Sequence, residues 1–381
     1  MPEIDSPYKI PLFDLNYDSA EEEAVLQTLR SRWISMGPRA AELETKFAAA
    51  LDVKHALTVT NCTAALHLAL RVLDIGPGDE VIVPSLTFVA TVNAVCYVGA
   101  TPVFADITSH SDLNIDPAAI ESLVTSRTKA IIVMHYGGFP CAMDEITRVA
   151  REHHLSIVED ACHGPLSEYQ GRKLGTIGDI GCFSFFSNKN ISTGEGGMFV
   201  TNRLEYHRRA HLLRSHGMTT LSYERSRGHA TTYDVVDIGY NYRLDDIRAA
   251  LGLVQLQKLR TDFERRARVR ERYLERLRHL DRLFIPFADH HGFVSNYIFP
   301  VVLRDGRAVR RDAVREQLQN DGIQTSLHYP AVHRFSIHRT GVVRLPSTEY
   351  VADNVITLPM YGALAPDAID YITERLQAAL S

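Results

Sequence analysis

The stretch that decides the fold runs from His55 to Ala105, HALTVTNCTAALHLALRVLDIGPGDEVIVPSLTFVATVNAVCYVGATPVFA. Within it, HALTVT (55–60) is a short β-branched run, and Ala64 to Leu73 carries apolar residues at helical spacing. Glu80 to Val83 reads as a second strand, Phe88 to Tyr97 as a second helix and Thr101 to Ala105 as a third strand. Strands separated by helices of this length pair in parallel, because the helix serves as the crossover. Right-handed crossovers then place helices on both faces of the sheet.

Working outward, Lys129 to Met134 and Ser156 to Glu159 are further short apolar strands, the second preceded by a helix over Met143 to Glu152. The pattern changes after Gly175. Asp179 to Phe185 and Gly197 to Thr201 read as two strands separated by the polar stretch Ser187 to Gly196. From Leu244 to Leu280 the chain is helical and charged, in the manner of a helix that bridges two domains. Beyond residue 285, a strand over Tyr297 to Leu303 mixes with helices near Arg310 to Asp321 and Pro366 to Leu380. The expectation is an α/β protein. A large, mostly parallel-sheet domain spans 1–256 with the N-terminal segment, and a smaller C-terminal α+β domain spans 257–381.

Composition narrows the function. Of 381 residues, 41 are Lys or Arg and 46 Asp or Glu, a net charge of -5 with no basic field for nucleic acid and no polybasic membrane patch. No apolar run reaches the ~18 residues of a membrane span, and Met1 to Asp5 does not open a signal peptide, so a soluble cytoplasmic protein is expected. The five cysteines are odd in number and lack CxxC spacing, which argues against a disulfide framework and a zinc site. His153-His154 and His290-His291 read as surface histidines, and no metal site is expected. Gly175-x-x-Gly178-x-x-Gly181 lacks the spacing and the preceding strand of a dinucleotide fingerprint.

Four segments carry chemistry. In Val158-Glu159-Asp160-Ala161-Cys162-His163, an acid follows an apolar strand at its carboxyl end, where open α/β sheets bind ligands. Asp160 either caps the next helix or pairs with a protonated heterocyclic nitrogen, as pyridoxal phosphate (PLP) requires for its electron-sink chemistry. In Phe183 to Gly197, Lys189 follows Ser184 and precedes Gly194, Gly196 and Gly197. It is either a solvated charge or a lysine whose lowered pKa makes it a nucleophile. Thr60 to Leu66 is a polar turn opening a helix, either an ordinary cap or a phosphate site built from backbone N–H groups and Thr63. Phe88, after a strand, is either a core residue or a face for a flat ring.

The order and spacing of these segments resemble the DegT/DnrJ/EryC1/StrS family of PLP-dependent aminotransferases, the sugar aminotransferases of fold type I. The likeness runs from about Ile10 to Leu376. It rests on Asn61-Cys62-Thr63-Ala64-Ala65-Leu66, Gly76 to Ile82, Thr87-Phe88, Glu159 to His163, Phe183-Ser184-Phe185 ahead of Lys189, and Thr193 to Gly197. Gly239-Tyr240-Asn241-Tyr242-Arg243-Leu244 and Leu358-Pro359-Met360 complete it.

The resemblance implies that Lys189 forms the internal Schiff base with PLP and shuttles the proton between Cα and C4′. It implies that Asp160 pairs with the pyridine nitrogen, that Phe88 stacks on one face of the ring and that His163 lies near the other. Cys62, Thr63 and Ser184 would hold the phosphate, and Asn241 would reach the phosphate of a neighbouring subunit in a homodimer with shared sites. Arg243 and the turn Tyr329 to His333 resemble positions near the substrate. Cys62 stands where the family has Gly, so its φ must stay negative for the turn to form. The implied reaction takes an amino group from L-glutamate, through pyridoxamine phosphate, to a keto sugar linked to a nucleotide, at a 3- or 4-keto carbon. Rival readings are a keto-cyclitol acceptor and a PLP-fold binding protein without turnover.

Overall fold

The structure, a computed structural model, describes residues 8–219, 232–304, 307–339 and 343–381. The strands in chain order are β1 His55–Val59, β2 Glu80–Pro84, β3 Thr101–Ala105, β4 Thr128–Met134 and β5 Ser156–Asp160. There follow a small hairpin of β6 Glu168–Tyr169 and β7 Arg172–Lys173, then β8 Ile180–Ser184 and β9 Gly197–Thr201. Seven of these form one sheet in the order β1-β9-β8-β5-β4-β2-β3. From β3 across to β8 every pairing is parallel, as the alternation of strands and helices dictates. The exception is β9, antiparallel to both β8 and β1. The connection from β8 to β9 contains no helix, and the Phe185 N–H closes its base on Gly196 O at 2.8 Å. A chain that turns back without a crossover pairs antiparallel.

Central strands are buried on both faces, so their sequences are continuous apolar runs rather than alternating ones. Val81 and Val83 of β2, with Ala130 and Ile132 of β4, pack into the core that holds Leu68 and Val92. Ile82, Ile131 and Val133 point the other way, to Ile146 and Val149 of the helix Met143–Glu152. The sheet therefore has helices on both sides, and its strand ends share one rim. Asp160 ends β5, Ser184 ends β8, and the Ser85–Phe88 turn follows β2.

A second sheet of β10 Leu283–Phe284, β11 Phe299–Leu303 and β12 Val355–Leu358 is antiparallel, in the order β10-β11-β12. Helices Ala308–Asn320 and Pro366–Leu380 cover it through Val314, Leu318, Ile369, Ile372 and Leu376. The long helix is Asp246–Leu277 and runs unbroken past residue 256. Its Leu253, Leu259 and Phe263 pack with Leu43 and Phe183, while Val269, Tyr273 and Leu277 pack with Phe299 and Val301. The change of core thus falls between Phe263 and Val269. Ile10 belongs to the second core and pairs with Ile323, although the sequence reading counts the N-terminal segment with the first unit. Helices Ser19–Arg30, Pro38–Leu51, Pro117–Leu123, Leu204–Arg214 and Pro346–Asn354 add to those expected from the periodicity. The first of them carries a capping box, Asp18 with Glu21. Among the described residues, no helix is long and apolar enough to cross a membrane.

Candidate active site

The turn after β1 opens the helix Cys62–Val72, capped by Asn61, whose side chain accepts the Ala64 N–H at 2.9 Å. The Ala65 N–H reaches Asn61 O. The amides of Cys62 and Thr63 precede the first intrahelical bond and so point out of the helix end, with its partial positive charge behind them. Cys62 is not among the positive-φ residues, so a side chain is accommodated there without strain. The turn is held from behind by Gly197, where an added Cβ would lie 2.6 Å from the Asn61 carbonyl carbon and 2.8 Å from Cys62 N. Gly197 thus lets β9 approach this turn.

Asp160 is 3% exposed, and no helix follows it, which removes the capping reading. Its Oδ2 accepts a 2.7 Å hydrogen bond from Thr91 Oγ1, which accepts in turn from Thr87 Oγ1 at 2.8 Å. Oδ1 accepts from the Cys162 N–H at 3.3 Å and has Cys62 Sγ at 4.0 Å. The neighbouring Glu159 points away from the rim and is fully buried. Its carboxylate accepts from the amides of Gly175, Ile177 and Gly178 at 2.6–2.7 Å and bonds His135 Nε2 at 2.9 Å. The glycine run set aside as a dinucleotide motif is an anion cradle for the protein's own carboxylate.

Lys189 leaves the β8–β9 connection with Nζ 4.0 Å from Cys162 Sγ and 4.2 Å from the centroid of the Tyr297 ring. Desolvation works against its charge, but Cys162, Tyr297 and Asp160 more than offset it and hold the ammonium above the ordinary lysine value. That direction is opposite to the lowered value that one of the two sequence readings carried. Burial, with Asp160 adding to it, pushes the Cys162 thiol well up.

These side chains line one cavity of ≈ 380 Å³, together with Asn61, Thr63, Phe88, Ser184, Asn188, His328 and Tyr329. Phe88 is 58% exposed, its ring open to the cavity rather than buried in the core. Asn188 Oδ1 is buried with no protein partner. His163 is not on the cavity wall. It lies behind Tyr329, with Nδ1 accepting the Gly137 N–H at 3.2 Å and Nε2 2.8 Å from Tyr329 Oη. Burial, reinforced by Lys189 and His328, holds it well below the usual histidine pKa, so it is neutral and donates from Nε2.

Three expected residues lie elsewhere. His333 is buried away from the cavity, its Nδ1 2.7 Å from Ser85 Oγ and its Nε2 3.3 Å from Glu349, so both ring nitrogens are taken. Asn241, exposed, bridges to Ser215 on the segment leading to the long helix. Arg243 is two residues further on, half-buried, and neither lines this chain's cavity. His290, read as a surface residue, is half-buried against Phe139. Sequence reasoning did not find Tyr297, His328 or Thr91. Thr91 sits one helical turn after Phe88, a spacing that was available. The other two precede strands of the second sheet and carry no local signal.

A lysine, a buried aspartate, free helix-end amides and an open aromatic face around one cavity, at the rim of a mostly parallel sheet, define a class of enzyme that works through a phosphorylated heterocyclic aldehyde. The residues fit that group: the free amides of Cys62 and Thr63 would suit its phosphate and the buried Asp160 its ring nitrogen. The chain belongs to the DegT/DnrJ/EryC1/StrS aminotransferase family, whose model matches residues 16–377. It is 37% identical over 378 residues to the spore coat polysaccharide biosynthesis protein SpsC of Bacillus subtilis, covering 97% of this chain and 96% of that protein. Its fold matches PseC of Helicobacter pylori, an aminotransferase involved in the biosynthesis of pseudoaminic acid. The TM-score is 0.90, with 30% identity over 97% of this chain and 98% of the other. It also matches Spr1654 of Streptococcus pneumoniae, solved in PMP and PLP forms; for the PMP form the TM-score is 0.92, with 29% identity over 97% and 99% of the two chains. The chain is accordingly a PLP-dependent aminotransferase.

Proposed function

We propose that this enzyme moves an amino group from L-glutamate to a keto sugar linked to a nucleotide, at its 3- or 4-keto carbon. The observation that carries the reading is the convergence of Lys189, Asp160 and the free amides of Cys62 and Thr63 on one cavity. Those amides and the Ser184 hydroxyl would hold the phosphate, Asp160 the proton on the ring nitrogen, and Phe88 one face of the ring. PLP, when bound, supplies the electron sink for the carbanion at Cα. Lys189 carries the cofactor and then moves the proton at Cα as acid and base. The donor leaves as 2-oxoglutarate and its amino group goes to the keto carbon. A sugar acceptor is supported by the likeness to SpsC and PseC.

The proposal extends to a homodimer in which Asn241 of each copy completes the other's phosphate site. Support comes from the same segment, where Val235, Val236 and Ile238 stand 53–82% exposed in the single chain; apolar side chains presented together mark a surface that another chain covers. The division into a cofactor-binding part, expected at 1–256, and a smaller part, expected at 257–381, belongs to this reading too, with the boundary drawn between Phe263 and Val269 where the core changes.

The test is spectral. L-Glutamate added to the holoenzyme should convert the visible absorbance of lysine-bound PLP to that of pyridoxamine phosphate, and nucleotide-linked keto sugars should restore it. Lys189→Ala should lack the first band altogether; a purified Lys189→Ala protein that kept it would sink the assignment. A holoenzyme unchanged by L-glutamate would favour a binding protein.

A further inference from the structure

We infer that Tyr297 is a positioning residue for Lys189, its ring face forming the resting place of the lysine nitrogen whenever that nitrogen is free. The inference rests on the reading of Lys189 as the cofactor-bearing lysine.

The geometry is specific. Nζ of Lys189 stands 4.2 Å from the ring centroid of Tyr297, well within the reach of a cation–π contact. Tyr297 is 4% exposed, so the contact is shielded from water and is stronger than on a surface. The ring also packs against the imidazole of His163, with centroids 4.3 Å apart. One residue, Gly137, bonds both partners. The Gly137 N–H donates to His163 Nδ1, and Gly137 O accepts the Tyr297 N–H at 3.1 Å. Gly137 has φ +65°, which a side chain adopts with strain, so the clamp favours glycine at this position. Lys189 therefore meets a ring that is packed against His163 and whose backbone is tied to Gly137.

The titratable groups around Nζ come from four elements. Asp160, Cys162 and His163 follow or end β5, Cys62 opens its helix, His328 lies ahead of β12, and Tyr297 lies ahead of β11. Both histidines are pushed down, His328 to about 3, by burial first and then by the lysine itself. The lysine is thus the one cation these groups share. A lysine that must alternate between bonding a cofactor and carrying a proton needs a place that stabilises its ammonium without sequestering it. An aromatic face does this, whereas a second carboxylate pressed against Nζ would hold the proton more tightly.

The test uses the full-length chain stripped of PLP and follows the rate of PLP recombination by visible absorbance as a function of pH, since only the unprotonated amine adds to the aldehyde. Tyr297→Phe keeps the ring face but removes the hydroxyl, which also helps to hold the ammonium up, so it should lower the pH midpoint by clearly less than Tyr297→Leu does. Tyr297→Leu removes the ring face and should lower the midpoint by about one unit, as loss of a desolvated cation–π contact implies. Should the Leu variant fold poorly, mono-, di- and trifluorinated phenylalanine at 297 keep the shape while emptying the ring face, and should lower the midpoint stepwise. A midpoint that ignores fluorination, or a Phe variant shifted as far as the Leu variant, would overturn the inference. Failure of the underlying reading looks different, because Lys189→Ala would then still form the visible band.

Discussion

Thr91 Oγ1 donates a 2.7 Å hydrogen bond to Oδ2 of Asp160, and this bond ties the helix after Phe88 to the end of β5. The two residues are 69 positions apart, and both are nearly or fully buried. A buried hydrogen bond to a charged group contributes about 1.5–3 kcal/mol, and its loss leaves the carboxylate under-solvated. Thr91→Val keeps the shape and deletes the donor. We expect PLP affinity to fall about tenfold or more, matching that range, with Thr91→Ser retaining most of it. Titration of the stripped chain with PLP measures both.

Gly197 sits where β9 backs the turn that presents the Cys62 and Thr63 amides. Its added Cβ would meet backbone, not a side-chain tip, so the turn itself has to move. Gly197→Ala should weaken PLP binding more than it lowers the melting temperature. Comparison with inorganic phosphate as a competitor locates the loss at the phosphate end: the variant should lose phosphate protection as well.

Glu159 is the buried counterpart of Asp160 on the opposite side of β5. Its oxygens collect three amide donors and His135 Nε2. Glu159→Gln would turn an amide NH2 towards donors and leave at least one of them unpaired, at a cost of about 3 kcal/mol. The expected readout is a melting temperature several degrees lower. His135 Nδ1 already accepts the Cys141 N–H at 3.1 Å, so the imidazole cannot flip to relieve the loss.

Acid sensitivity follows from His67, which is buried beside Tyr242 Oη at 3.0 Å and held at about 4, first by burial and then by Arg71. Its unfolded value is about 6.5. Between these values the unfolded chain binds the proton and the folded chain does not, so stability is full above pH 6.5 and is lost as pH falls towards 4. His67→Gln should flatten the fall in melting temperature between pH 7 and pH 5, measured at constant ionic strength.

Local sequence was enough for the parts of this protein that local forces build. The apolar runs of β2, β4 and β5 and the helices between them announced a parallel sheet, because strands buried on both faces need crossovers and leave a periodic record. Asp160 and the Asn61 turn were legible for a related reason, lying at a strand end and a helix start where the chain must change direction, and Lys189 stood out on the polar connection between two apolar strands. Tertiary structure decided what no local pattern encodes. Tyr297 and His328 reach the site from the second sheet, more than a hundred residues from Lys189, through packing alone. His163 and His333 showed the reverse, since a promising side chain in sequence spent its nitrogens on Gly137 and Tyr329 or on Ser85 and Glu349. The state of Lys189 was also a tertiary matter. Its charge is set by the balance of burial against Cys162, Tyr297 and Asp160, and only the fold brings those groups together.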